Sequence, residues 1–176
     1  MTVDWRAIAT AVLRAAVRAA GQNARRGSRP GPRESSPQVE TRAAYPGDFT
    51  GVARLAYSPR ADGRPDPGEV VWTWVPYQED HSRGKDRPVL IVARDGAWLL
   101  ALMLTSKDHD GPGARHDDEW LDIGPGPWDR QGRPSEVRID RVLRVDPAAV
   151  RREGAQLDER LFDLVAARLR SLHGWT

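Results

Sequence analysis

From residue 67 onwards, the chain consists of short segments rich in Val, Ile, Leu and Trp that are separated by clusters of Gly, Pro, Asp and Ser. This alternation predicts β-strands joined by turns. The predicted strands are residues 70–75, 89–93, 98–104, 120–123, 136–139 and 142–145. In the first of them, apolar side chains from Val70 to Val75 occupy both faces, so both faces can be covered. The pattern therefore predicts a small closed or stacked β-barrel.

Two helices are expected after the strands. Asp146 is a suitable N-cap with Pro147 at the first helical position, and Gly154 would end that helix. A second helix is predicted from Asp158. The residues on its apolar face are Leu161, Leu164, Val165, Leu169 and Leu172. The predicted fold class is therefore mainly β with C-terminal helices.

The first 66 residues differ from the rest of the chain. Apolar residues at helical spacing follow Asp4, which predicts an amphipathic helix over residues 1–20. Residues 21–66 begin with a mixture of Gly, Pro, Ser and Arg that cannot bury much apolar area. We expect a flexible linker and lead-in there, with residues 49–57 as a candidate edge strand. The barrel domain would then span residues 67–176.

Composition narrows the function classes. The chain has no cysteine, which excludes disulfides and thiolate chemistry. Its longest apolar run, residues 97–104, is far shorter than the ~20 residues of a membrane span. Arginines within the N-terminal helix argue against a secretion signal, so we expect a cytoplasmic protein. Residues 1–66 hold 11 Arg and 6 acidic residues, whereas the remainder is net acidic. An anionic ligand of the barrel would therefore need a local basic patch.

Such a patch is found in the loop before the second predicted strand. Pro88 forces Arg87 into an extended conformation where the strand begins. Arg83 and Lys85 lie beside it, and Gly84 would let the loop approach a ligand closely. A planar guanidinium at this position suits contact with a phosphate. The alternative is an arginine that pairs with an acid of its own loop, and these acids are Glu79, Asp80 and Asp86.

Hydroxyl and imidazole groups follow the neighbouring strand ends. Thr105 and Ser106 end the third predicted strand, where a hydroxyl could bind a phosphate oxygen or cap a turn. His81, in the basic loop, and His109 are candidate proton carriers. Trp74 is a candidate for stacking on an unpaired base, as are Trp72, Trp98 and Trp128, provided that they are exposed.

A metal hydrolase built on His109, His116 and Asp117 is the remote alternative. The spacing of these residues is not that of metal ligands, and their Gly-, Pro- and Asp-rich surroundings are more typical of a polar loop. We expect no metal or other cofactor.

Four motifs together resemble the PemK/MazF family of toxins from toxin-antitoxin systems. They are GEVVW at residues 68–72, RPVLIV at 87–92, LTS at 104–106 and SEVRIDRVLRVD at 135–146. They occur in the order of the family and near its spacing, and the match extends from about Pro67 to Leu172.

The resemblance implies an SH3-like barrel, a homodimer and a cognate antitoxin partner. It also implies a metal-independent endoribonuclease, in which the 2'-hydroxyl of single-stranded RNA attacks the adjacent phosphate and leaves a 2',3'-cyclic phosphate. Arg87 matches the family's catalytic arginine and Thr105 its catalytic hydroxyl residue. Because a guanidinium is a poor base, Arg87 is expected to stabilise charge on the phosphorane. His81 is the candidate for proton transfer, and Arg83, Lys85, Ser106 and Trp74 are the candidates for RNA binding.

The chain also departs from the family pattern. The loop after the first strand carries two acids and a histidine, and residues 108–134 are longer and richer in Gly, Pro and Asp than in a compact member. A catalytically inactive barrel that binds nucleic acid or a protein partner is therefore the alternative function.

Overall fold

The fold was determined as a computed structural model, which describes residues 45–107 and 119–176 and, for residues 152–154, the backbone alone. These residues belong to one compact unit, Arg42–Thr176. The predicted N-terminal helix, most of the linker, and His109, His116 and Asp117 lie outside the described residues. In the described part of the chain, no helix is both long and apolar enough to cross a bilayer.

Six antiparallel strands form one curled sheet, a half-barrel, with a single helix after it. The strands are β1 (Glu69–Pro76), β2 (Gly84–Asp95), β3 (Trp98–Thr105), β4 (Trp120–Gly124), β5 (Ser135–Val145) and β6 (Arg152–Gln156). The helix α1 spans Glu159–His173. The strand order is β4-β5-β3-β2-β1-β6. Register shifts interrupt four of the five ladders, and such bulges increase the local bend and twist of a sheet.

Both faces of the sheet are buried, as the sequence predicts. On one face the strand residues pack with α1, whose buried residues are Phe162, Val165, Ala166 and Leu169. The other face has its own cluster, which includes Val71, Ile91 and Leu143 and packs against the half-buried Tyr45 and Val150. Because the central strands are covered on both sides, they need near-continuous apolar sequence.

The prediction of a helix that begins at Asp146 is wrong. Asp146 does cap a turn, and its carboxylate accepts from the backbone N–H of Ala148 at 2.9 Å. That turn is a 3-10 helix of only three residues, Pro147–Ala149, and the chain then becomes β6. The backbone hydrogen bonds available at the open edge of β1 explain this outcome, because β6 pairs along that edge.

The helix predicted from Asp158 is confirmed, but its inner face differs from the prediction. Asp158 caps it, and Gly174 ends it in the left-handed region, with φ at 67°. Val165 and Leu169 are buried, whereas Leu164 and Leu172 are 55% and 51% exposed. The residue that replaces them in the core is Phe162, which packs against Tyr57.

Two predicted strands, residues 136–139 and 142–145, are one continuous strand, β5. The sequence suggests a break at Asp140 and Arg141 because both are charged. Arg141 is nevertheless only 5% exposed, since Asp48 and the carbonyl of Pro76 satisfy its guanidinium. Asp140 is held by Arg138 at 2.6 Å.

The described part of the lead-in packs on the sheet and does not form the candidate edge strand at residues 49–57. Phe49 donates its N–H to Val142, and Ala56 donates to Val92. Two further backbone hydrogen bonds join this segment to Thr176: the N–H of Leu55 donates to the carbonyl of Thr176, and the N–H of Thr176 donates to the carbonyl of Ala53. The edge of β1 is already occupied by β6, so no edge of that strand is left for the lead-in.

Arg141 and Arg144 fasten the lead-in to β5. Arg141 binds both carboxylate oxygens of Asp48, at 2.8 and 3.2 Å. Arg144 donates to the carbonyls of Gly47 and Asp48 and lies over the ring of Phe49, 5.0 Å from its centroid. Burial of Asp48 opposes its ionisation, but hydrogen bonds from Arg141 and Tyr45 outweigh this effect and hold the pKa of its carboxyl below the ordinary 3.8.

We expect Asp48→Asn to lower the free energy of unfolding by about 2 to 3 kcal/mol at neutral pH, because it leaves the buried Arg141 cation unpaired. The pKa of Asp48 is depressed in the folded state, so its contribution is present above the unfolded pKa and is lost as the pH falls through the folded one. Urea unfolding at several pH values should therefore show the difference between wild type and variant shrinking below about pH 4.

Asp163→Asn, at an exposed position of α1, is the matched control and should change the free energy of unfolding little at any pH. A difference between wild type and Asp48→Asn that stays constant down to acid pH would contradict the ion-pair interpretation.

Candidate active site

Arg87 and Thr105 line the same groove. The sequence places Arg87 in a loop before a strand that begins at Val89, but β2 begins at Gly84, so Arg87 lies within β2 and pairs with Thr73 of β1. β2 pairs with β3 such that Val89 lies opposite Met103. Arg87 and Thr105 each lie two residues beyond this pair, and both are half-buried. The groove has a volume of about 390 Å³, and Ser106 lies at its exposed rim. The guanidinium of Arg87 and the hydroxyls of Thr105 and Ser106 thus line one open site.

Arg87 does not pair with the acids that precede it in the sequence. Asp86 binds Arg151 at 2.6 Å, and Asp80 accepts from the hydroxyl and the N–H of Ser82. Among residues 45–107 and 119–176, Arg87 has no ion-pair partner. Its charge is therefore available to an anionic ligand of the groove.

Thr105 takes part in a turn and still has a proton to donate. Its Oγ1 accepts from the backbone N–H of Lys107 at 3.2 Å. A hydroxyl has one donor and two acceptor positions, so this contact orients the oxygen while the O–H stays free for a ligand. Turn capping and ligand binding are compatible in this residue.

The other predicted site residues lie outside the Arg87 groove. His81 and Trp74 line a second cavity, of about 470 Å³. The rings of His81 and Tyr45 pack in a T-shaped arrangement, with 5.0 Å between their centroids. Arg83 is exposed and lies over the ring of Tyr77, 5.8 Å from its centroid. Lys85 is exposed and pairs through its backbone with Val75.

Gly84 serves packing within the hairpin. A Cβ at this position would lie 2.3 Å from the carbonyl oxygen of Val75 and 2.6 Å from the ring of Trp74. The sequence suggests that the missing side chain admits a ligand, but the space is filled by the β1 strand itself. The half-buried Trp74 therefore packs across the first residue of β2, three residues before Arg87.

Part of the groove lining comes from the β4–β5 loop, of which sequence reasoning considered only Trp128. Its groove-lining residues are Trp128, Asp129, Arg130, Gln131 and Arg133. The signal that could have indicated this part of the lining is a tryptophan followed by two arginines between Pro127 and Pro134.

Trp128 anchors this loop and is too buried, at 6% exposure, to stack on a base. Its Nε1 donates to Ser135 at 3.0 Å, and its carbonyl accepts from the indole of Trp72 at 3.2 Å. A Cβ on Gly126 would lie 2.1 Å from the Trp128 ring, so a residue without a side chain is required where the ring crosses the backbone.

The described residues offer no group of three or more His, Asp or Glu side chains that could hold a metal ion. The two carboxylates that line the groove are each held by an arginine, Asp86 by Arg151 and Asp129 by Arg133 at 2.8 Å. Hydrogen bonds from the N–H of Gln131 and from Arg133 hold the pKa of the Asp129 carboxyl below its ordinary value.

Residues 66–173 match the family described as PemK-like, MazF-like toxin of type II toxin-antitoxin system. The chain belongs to this family. The match covers the sheet, the Arg87 groove and α1, as the four sequence motifs predict. No curated protein matches the chain.

Several solved structures are similar to the chain. MazF from Deinococcus radiodurans is 24% identical, with a TM-score of 0.47, over 64% of this chain and 99% of that one. An endoribonuclease in complex with its cognate antitoxin, from a mycobacterial species, is 17% identical, with a TM-score of 0.47, over 62% of this chain and 95% of that one. The Mycobacterium tuberculosis toxin MazF-mt6 is 16% identical, with a TM-score of 0.39, over 60% of this chain and 98% of that one.

We expect Gly126→Ala to lower the free energy of unfolding by about 1 to 3 kcal/mol, since the new methyl group must displace the Trp128 ring. Urea denaturation measures the effect. In a Trp128→Leu background the same substitution should cost much less, because the ring that it meets is gone. An equal cost in both backgrounds would show that the ring is not the obstacle.

Proposed function

We propose that the chain is a metal-independent endoribonuclease toxin that cleaves single-stranded RNA. The 2'-oxygen attacks the adjacent phosphorus, the bond from phosphorus to the 5'-oxygen breaks, and the products are a 2',3'-cyclic phosphate and a 5'-hydroxyl. The observation that carries the proposal is the convergence of Arg87 and Thr105 on one groove. Membership of the toxin family supports it.

Arg87 is proposed to stabilise the transition state electrostatically. The attack adds negative charge to the phosphate oxygens, and a fixed guanidinium meets that charge without reorganisation. Its planar donors suit two phosphate oxygens at once. The half-buried position and the absence of an ion-pair partner among the described residues favour this role, because little of its charge is already neutralised.

Thr105 is proposed to orient the reacting phosphate. Its oxygen is held by the N–H of Lys107, so its O–H can point into the groove. Ser106, exposed next to it, is proposed to bind RNA at the rim. In this proposal the phosphate lies between Arg87 and Thr105, and the positioning of the reactants supplies much of the acceleration.

His81 is the proposed proton carrier from the β1–β2 loop, although its ring lines the neighbouring cavity. Arg83, Lys85 and Trp74 belong to the same hairpin, outside the groove, and are proposed to contact RNA beyond the scissile phosphate. We expect His81→Ala to reduce kcat less than Arg87→Ala or Thr105→Ala does.

The proposed partners are a cognate antitoxin and a second copy of the chain, as in a type II system. An antitoxin segment that covers the groove would exclude RNA from Arg87 and silence the activity, an arrangement that suits coupled folding and binding. Because the substrate is cellular RNA, the toxin is proposed to act in the cytoplasm.

Incubation of the purified protein with end-labelled single-stranded RNA in EDTA should yield discrete fragments that end in a cyclic phosphate. Arg87→Ala should reduce kcat/KM by at least roughly a hundredfold, as the loss of one preorganised charge at a transition state does. Arg87→Lys should rescue only part of the activity, because an ammonium cannot make the bidentate contact.

Arg54→Ala, at an exposed position outside the groove, is the control and should cleave like wild type. Binding of RNA without any cleavage by the wild-type protein would favour the alternative function, an inactive barrel. Loss of cleavage on addition of EDTA would favour a metal hydrolase.

A further inference from the structure

We propose that Arg130 forms a second phosphate-binding position in the Arg87 groove, on the part of its lining that the β4–β5 loop supplies. It would bind the backbone phosphate of a nucleotide that flanks the scissile one. This inference rests on the proposed function, in which Arg87 meets the reacting phosphate. With Arg130 included, the groove would bind two phosphates of a single strand instead of one.

The β4–β5 loop holds Arg130 in a firm position. The N–H of Asp129 donates to the carbonyl of Gly126, and the N–H of Gly132 donates to the carbonyl of Asp129, each at 3.0 Å. The Asp129 carboxylate accepts from the N–H of Gln131 and from Arg133, both at 2.8 Å. Together with the buried Trp128, these contacts fix the backbone on both sides of Arg130, so a ligand need not order the loop.

The charges of the groove leave two arginines for a ligand. Its lining holds two acids, Asp86 and Asp129, and each is already paired with an arginine. Arg133 forms the ion pair with Asp129. Arg87 and Arg130 both line the groove and, within the described residues, have no ion-pair partner.

This pattern fits the repeated negative charges of a nucleic-acid backbone better than it fits an isolated anion. The two arginines come from different elements of the fold, one from β2 and one from the β4–β5 loop. Two separated cations favour a ligand whose charges are also separated, as successive phosphates are. Arg130 is exposed, so a strand that leaves the groove can reach it.

The test measures salt-dependent binding of a fully 2'-O-methylated, fluorescein-labelled single strand of mixed sequence. This probe keeps the phosphates, and it cannot be cleaved by attack of a 2'-hydroxyl. Each phosphate contact contributes about 0.7 to the slope of log K against log salt for a single strand. Arg130→Ala should reduce that slope by about 0.7 and weaken binding roughly two- to fivefold at low salt, as expected for one exposed ion pair.

Two matched variants serve as controls for Arg130→Ala. Arg130→Lys keeps the charge and should keep the slope. Arg54→Ala removes an exposed arginine outside the groove and should leave the slope unchanged. In the cleavage assay with RNA, Arg130→Ala should raise KM by a similar factor and leave kcat unchanged, because a flanking contact is the same in the ground and transition states.

The outcomes separate this inference from the proposed function. A normal slope for Arg130→Ala, or an equal reduction in Arg54→Ala, overturns the phosphate position even if the protein cleaves RNA. Failure of the wild-type protein to bind the probe also overturns it. A reduced slope in a protein that cleaves nothing supports the phosphate position and refutes the nuclease.

Discussion

The antiparallel register of β2 and β3 is the constraint on which the candidate site depends. Val89 lies opposite Met103, and Arg87 and Thr105, each two residues beyond this pair, line one groove. A slip of one residue would turn every side chain of one strand to the other face and would separate the two groups. The observed register is favoured over a shifted one because both faces of these strands are buried, and a shift would expose part of a core cluster.

The arginines of this molecule have two different roles, which depend on whether a carboxylate is available to pair with them. Arg141 and Arg144 are bound to the lead-in and to acids near it, where they stabilise the fold. Arg87 and Arg130 line a groove whose acids are already engaged by Arg151 and Arg133. The barrel domain is net acidic, yet local pairing leaves positive charge in this groove.

Much of the sheet could be predicted from the sequence, because alternation, apolar runs and turn residues are local signals. The predictions failed where a long-range contact outweighed a local preference. The turn at Asp146 has the residues of a helix start, but the edge of β1 captures the following chain as β6. The pair Asp140 and Arg141 resembles a break, but Asp48, some 90 residues earlier, allows Arg141 to be buried within β5. A local pattern cannot report either contact.

The same distinction applies to the site. The sequence by itself determined that Arg87 is extended and that a hydroxyl ends the neighbouring strand, because Pro88 and the apolar run before Thr105 act on their immediate neighbours. It did not determine that β2 begins at Gly84, since residues 84–87 are added to the strand by pairing with β1. Only the tertiary structure decided which loops meet them there. It brought Arg130 to the groove through the packing of Trp128, and it placed His81 against Tyr45 at another cavity. Loop positions depend on side chains far away in the chain, whereas the extended conformation of Arg87 depends on the proline next to it.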